Sequence, residues 1–174
     1  MPELTIFSII STLLLFGFII WGVMRFGLLG SYSHYARKWG EAVPLNSTNI
    51  WTIVTLVAAF LLAPAMIELG TASLWQFLGF LVPVYLIIVS LTPEWETKRT
   101  QYIVHCIGAL VCAIGAFFWL TVIMDALFVF TLVLVFVATL ALLTGTEKTS
   151  AIFWAEMVMF ISVYLVVLLS LFIL

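Results

Sequence analysis

His105 and Glu156 are the two residues of this sequence whose types and positions could support chemistry in an apolar setting. Each is an ionisable group inside an otherwise apolar run. Hydrocarbon offers neither one a partner, so such groups are read first as functional, although a structural pair would satisfy them equally well. Both lie within about two helical turns of the same interface, at ~1.5 Å per residue. A hydrogen bond between them would satisfy both. Such a pair could also handle protons or hold a cation.

Two further polar residues belong to the opposite interface. Glu68 falls at the C-terminal end of an expected helix, where the helix dipole disfavours an anion. It is therefore a candidate for binding a cation, or for contacting the backbone amides that open the next helix. Gln76 recurs with Gly79 and Pro83 on one helical face, which is expected to look inward. The candidate ligand- or ion-binding set is thus His105, Glu156, Glu68 and Gln76.

Several chemistries are excluded by residue count. A three-histidine zinc site cannot be built from two histidines, one of which, His34, lies in a polar loop and is expected to be solvated. Bis-histidine haem ligation lacks its second intramembrane histidine. Neither Gly-x-Ser-x-Gly, His-Glu-x-x-His nor a phosphate loop occurs. With no haem or zinc motif, the cofactor is left unassigned. Cys106 and Cys112 are too widely separated on one helix to pair and are read as small buried hydrophobes. Six basic residues make no phosphate-binding surface, so nucleic acid is not a partner.

The elements that position these residues follow from composition. Of 174 residues, 66% are hydrophobic and 8% charged, and the mean hydropathy is +1.33. A water-soluble domain has no use for so much apolar surface, so the lipid bilayer is the expected solvent. At ~20 residues per crossing the chain has room for about six. The expected fold is all-α, an integral membrane bundle of six helices in one domain. The helices fall at about residues 4–25, 49–68, 72–91, 93–120, 125–143 and 150–174, with an amphipathic loop over 26–48 lying on the membrane surface. The first run has no preceding positive charge and no cleavage site after it, so it is expected to be retained.

All six basic residues (Arg25, Arg37, Lys38, Lys98, Arg99 and Lys148) fall on one side of this arrangement. That side is expected to be cytoplasmic, with both termini outside. In a bacterium the location would be the plasma (inner) membrane.

The fourth helix should be central. Thr92 can cap it, Pro93 suits its first position, and Glu94–Lys98 and Trp95–Arg99 are spaced for side-chain pairs. His105, Gly108, Ala109, Cys112, Gly115, Ala116 and Trp119 share one stripe. Its small members Gly108, Cys112, Gly115 and Ala116 are expected to let another helix approach closely. Pro64 and Pro83 should kink the second and third helices. Thr71 or Ser73 can cap the third helix, Asp125 the fifth. The fifth helix, without a polar stripe, should face lipid and end at Gly145.

These features lead to the expectation of a polar pocket between helices two, three, four and six that binds or passes a small solute, ion or lipid. The alternative is a non-catalytic membrane subunit contacting a partner protein or a second copy. A third is a lipid head-group enzyme using His105, Glu156 and Glu94 in acid–base roles.

Overall fold

The computed structural model describes residues 2–42, 47–71, 73–92 and 98–173. Among these residues the secondary structure is helical throughout. In chain order the elements are α1 (Pro2–Phe26), α2 (His34–Ala42), α3 (Ser47–Leu69), α4 (Phe77–Ser90), α5 (Arg99–Phe118), α6 (Leu127–Thr144) and α7 (Ala151–Ile173). A π-helical turn, Trp119–Ile123, closes α5. Stretches within α1, α3, α5 with its π turn, α6 and α7 are long and apolar enough to cross a membrane, and α4 is a shorter apolar helix. This is a helical membrane bundle.

Hydrogen bonds define one end of the bundle. The Phe153 amide donates to the Gly30 carbonyl at 3.0 Å, joining the chain after α1 to the start of α7. Thr52 donates to the carbonyl of Ser90 at 3.0 Å, joining the start of α3 to the end of α4. Thr92 and His105 meet at 2.9 Å, joining the end of α4 to the start of α5. Arg25, Arg37, Lys38, Lys98, Arg99 and Lys148 all belong to segments at this end.

At the opposite end α3, α4 and the π turn converge on the Met66 carbonyl. The Gly70 amide bonds to Ile67 rather than Met66. The Trp119 indole donates to the Met66 carbonyl instead, at 3.3 Å. α4 approaches so closely here that a Cβ on Gly79 would lie 2.6 Å from the same oxygen. Only glycine fits that position.

Several boundaries differ from the sequence expectation. The third helix begins at Phe77, later than expected; the expected start at 72 lies outside the described residues, and 73–76 form turns, with Ser73 bonding back to Gly70 and Gln76 to Ser73. The Ser73 hydroxyl accepts from the nearby Trp75 amide instead of capping the helix. With 14 residues, α4 spans about 21 Å at ~1.5 Å per residue, less than the ~30 Å of hydrocarbon. The fourth helix begins at Arg99, after an extended Lys98, and the expected start at 93 lies outside the described residues. The expected Glu94–Lys98 and Trp95–Arg99 pairs involve positions outside the described residues. Thr92 turns back onto α4, donating to the Val89 carbonyl at 2.9 Å. Asp125 does not open α6. It adopts a left-handed conformation, φ 47°, which a short polar side chain tolerates. The helix starts at Leu127, and its end at Gly145, φ 63°, agrees with expectation. Both prolines lie inside helices that continue through them.

The largest departure is the loop. Instead of lying flat on the surface, its α2 segment docks into the bundle. Tyr32, Tyr35, Ala36 and Trp39 are buried. Trp39 packs among Phe18, Trp21 and Phe26 of α1, with ring centroids 5.7, 4.2 and 4.9 Å away. Tyr35 sits against Gly22, where a Cβ would be 2.8 Å from its ring, and its hydroxyl donates to the Gly27 carbonyl at 2.8 Å. Outward, Glu41 bonds to Arg37 at 2.7 Å and to Lys38 at 2.9 Å. These contacts hold its carboxyl below the ordinary glutamate range.

α6 meets the lipid-facing expectation. Val133, Val137 and Ala141 form a narrow buried stripe, and Leu134, Val135 and Phe136 around it are exposed.

Candidate functional site

A cavity of about 270 Å³ lies between α3, α4, α5 and α7, closed at the basic end by residues 32–33. These are the four helices named from sequence as its walls. The lining is mainly apolar rather than polar as expected, because, of the expected polar residues, only Glu156 reaches it. α3 contributes Leu62, α4 contributes Val82, Leu86 and Val89, and α5 contributes Ala109, Cys112, Ala113 and Ala116. α7 supplies Glu156 together with Phe160 and Tyr164.

The small-residue stripe of α5 divides into two roles. Gly108 and Gly115 form the seam with α4. A Cβ at Gly108 would come within 3.3 Å of Ile88 and Val89, and one at Gly115 within 3.4 Å of Val82. Cys112 and Ala116, one step around the helix, face the cavity. The Cys112 thiol is directed at the Val82 carbonyl, 3.6 Å away.

Glu156 is held by backbone rather than by a side chain. The Tyr32 amide donates to its Oε2 at 2.6 Å. Tyr32 lies in the turn that leads into α2, two residues before its start, where amides not yet used by the helix can take a carboxylate. One helical turn before Glu156, Phe153 bonds to Gly30. Residues 30–32 are therefore clamped to α7 at two points.

The two tyrosines of the cavity are oriented by hydroxyl partners outside it. Thr55 donates its proton to the Trp51 carbonyl at 2.8 Å. The Tyr32 hydroxyl, 2.9 Å from Thr55 Oγ1, must therefore be the donor of that pair. By the same logic Ser11 donates to the Ala58 carbonyl at 2.7 Å, and the Tyr164 hydroxyl donates to Ser11 at 2.7 Å. The Tyr32 ring meets Phe160 edge-on, centroids 5.7 Å apart.

The expected His105–Glu156 hydrogen bond does not form. His105 is buried and bonded through Nδ1 to Thr92, whereas Glu156 takes the Tyr32 amide. Both residues are near the basic end, as expected, but only Glu156 lines the cavity. An acid–base couple of the two, as the enzyme reading needs, is not assembled. Nor is His34 simply solvated. It is half-buried, with Nδ1 2.5 Å from the Ser31 hydroxyl.

Glu68 and Gln76 sit at the far end and do not line the cavity. Glu68 is exposed, its carbonyl accepting from Thr71 at 2.8 Å. Gln76 reaches the Ile67 carbonyl at 3.5 Å. Among the described residues no group of three His, Cys, Asp or Glu side chains could hold a metal ion.

Sequence reasoning missed Tyr32 and Tyr164 as wall residues. A signal for the first existed: Tyr32, Tyr35, Ala36 and Trp39 are spaced as one apolar helical face, which a purely surface-lying segment would leave unpartnered. Comparisons with family models, curated proteins and solved structures gave no match, so the geometry itself carries the functional reading.

Proposed function

We propose that this multi-pass membrane protein binds a small, largely apolar molecule in the cavity between α3, α4, α5 and α7. The observation that carries the reading is a Glu156 carboxyl group on the wall of an otherwise apolar space. Ligand sites have this composition, with broad apolar walls and few polar groups that fix orientation. At about 270 Å³ the space is near the lower end of the ~300–1,000 Å³ common for such sites.

Access from the bilayer fits the walls. Ala113 of α5 and Ile152 and Ala155 of α7 line the cavity and are also exposed on the apolar surface. A lipid-soluble molecule can enter between these two helices without crossing a polar surface.

Native mass spectrometry from mild detergent tests the reading. The wild type should release a small bound mass, and Ala113→Phe, which fills the mouth, should lose it while remaining folded. No bound mass in either protein, together with no response to added apolar molecules, would overturn the proposal. The exposed alanines also support a second reading, in which a helix of a partner protein or second copy packs in the mouth. A stoichiometric protein partner displaced by Ala113→Phe would favour it.

A further inference from the structure

Most of the proton donors around the cavity are already committed. The Tyr32 and Tyr164 hydroxyls donate to Thr55 and Ser11. The Cys112 thiol points at Val82, and the Tyr32 amide is taken by Glu156. Ser33 is engaged with Ser31 at 3.0 Å. Among the described residues no Lys, Arg or His lines the space.

Acceptor capacity remains. A carboxylate offers about four acceptor positions, and the Tyr32 amide occupies one. The Tyr32, Phe160 and Tyr164 side chains on the same wall bring aromatic rings, whose faces attract a cation. An anionic head group would meet a carboxylate with no compensating base. A neutral acceptor such as an ester could be held only by the protonated form of Glu156 and would leave the aromatic faces without a cation. A donor bearing positive charge satisfies the carboxylate and uses the rings.

Building on the binding role proposed above, we infer that the ligand is a small amphipathic amine, bound as its ammonium ion to Glu156 with its apolar body among the alanines of α5. The neutral amine can cross lipid and accept a proton from a protonated Glu156, leaving an ammonium–carboxylate pair. One N–H bond forms, one O–H bond breaks, and the net charge is unchanged. Pairing of this kind offsets the cost of a charge in a low-dielectric site.

The test uses the purified full chain in a non-ionic detergent, with binding read by thermal shift. The probes are hexylamine, hexanol and hexanoate. Wild type should be stabilised by hexylamine more than by hexanol, and not by hexanoate. Glu156→Gln keeps an acceptor for the Tyr32 amide, so it should fold. Its hexylamine affinity should fall by about tenfold or more while hexanol binding persists. Equal binding of hexylamine and hexanol, unaffected by Glu156→Gln, would overturn the amine assignment and leave the pocket standing. If no probe acts on wild type and Ala113→Phe changes nothing, the binding role itself fails and the amine assignment falls with it.

Discussion

The backbone amide of Tyr32 donates to Glu156 Oε2 at 2.6 Å, so the acid of a membrane-spanning helix is satisfied by a loop. That contact, with the Phe153–Gly30 bond a turn away, ties the docking of α2 to the chemistry of the cavity wall. It also explains how a glutamate persists there with no basic neighbour among the described residues. The Tyr32 amide, in the turn leading into α2, supplies the hydrogen bond that a basic side chain would otherwise give.

The first prediction separates the acceptor from the charge. Glu156→Gln retains an oxygen for the Tyr32 amide and should change stability little. Glu156→Leu leaves that amide buried and unpaired, which should cost ~1–3 kcal/mol. Thermal denaturation in detergent checks the order. Equal losses for the two variants would mean that the Tyr32 contact is not what holds residues 30–32 on α7.

Glycine substitutions should rank by what a Cβ would strike. Gly79→Ala meets the Met66 backbone oxygen at 2.6 Å, and Gly22→Ala meets the Tyr35 ring at 2.8 Å. Overpacking of this kind typically costs ~1–3 kcal/mol. Gly79 should be worse, because backbone yields less than a ring. Gly108→Ala, at 3.3 Å from side chains, should cost less, and Gly17→Ala, with nothing within 4 Å, should be neutral or better. Leu134→Ala on the exposed face of α6 should also be mild. Melting temperatures of the set provide the check.

Alkaline pH should release α2. Burial raises the phenol of Tyr35, and also that of Tyr32, above the ordinary value. A group raised in the folded state stabilises fully below its unfolded value, about 10 for tyrosine, and this contribution is lost as pH rises through the raised value. Trypsin cleavage at Arg37 and Lys38 should therefore accelerate above about pH 10. Tyr35→Phe should start about 1 kcal/mol weaker, having lost its bond to Gly27, but show a shallower rise. A wild-type profile flat across this window would count against α2 docking through its tyrosines.

Topology can be read by labelling in a Cys106→Ala, Cys112→Ala background. Leu74 is 99% exposed at the end opposite the basic residues, whereas Lys148 is exposed at the basic end. Leu74→Cys should react with an impermeant maleimide in intact cells, and Lys148→Cys only after permeabilisation. The reverse pattern would invert the assignment of the basic end to the cytoplasm.

Some of this molecule was fixed by local properties of the chain. Long apolar runs must become helices in lipid, because no other open-ended backbone satisfies its own polar groups there. The run from Leu127 to Thr144 and its stop at Gly145 were readable for that reason. So were the grouping of the six basic residues and the small residues that let α5 approach α4 at Gly108 and Gly115. These properties depend on near neighbours in sequence.

Tertiary structure alone decided which groups meet. Glu156 and His105 have matching depth and complementary chemistry, yet Glu156 bonds to an amide 124 residues away and His105 to the Thr92 hydroxyl. A backbone amide carries no residue signature, so no pattern in the sequence could nominate Tyr32 as the partner. The start of α4 was equally hidden, because the turns over 73–76 and a helix there differ only in where each amide finds its carbonyl. The direction of the tyrosine hydroxyls, which leaves the cavity rich in acceptors, rests on Thr55 and Ser11 having spent their own protons on backbone carbonyls. That choice exists only once α1, α3, α7 and the 30–32 segment are packed together.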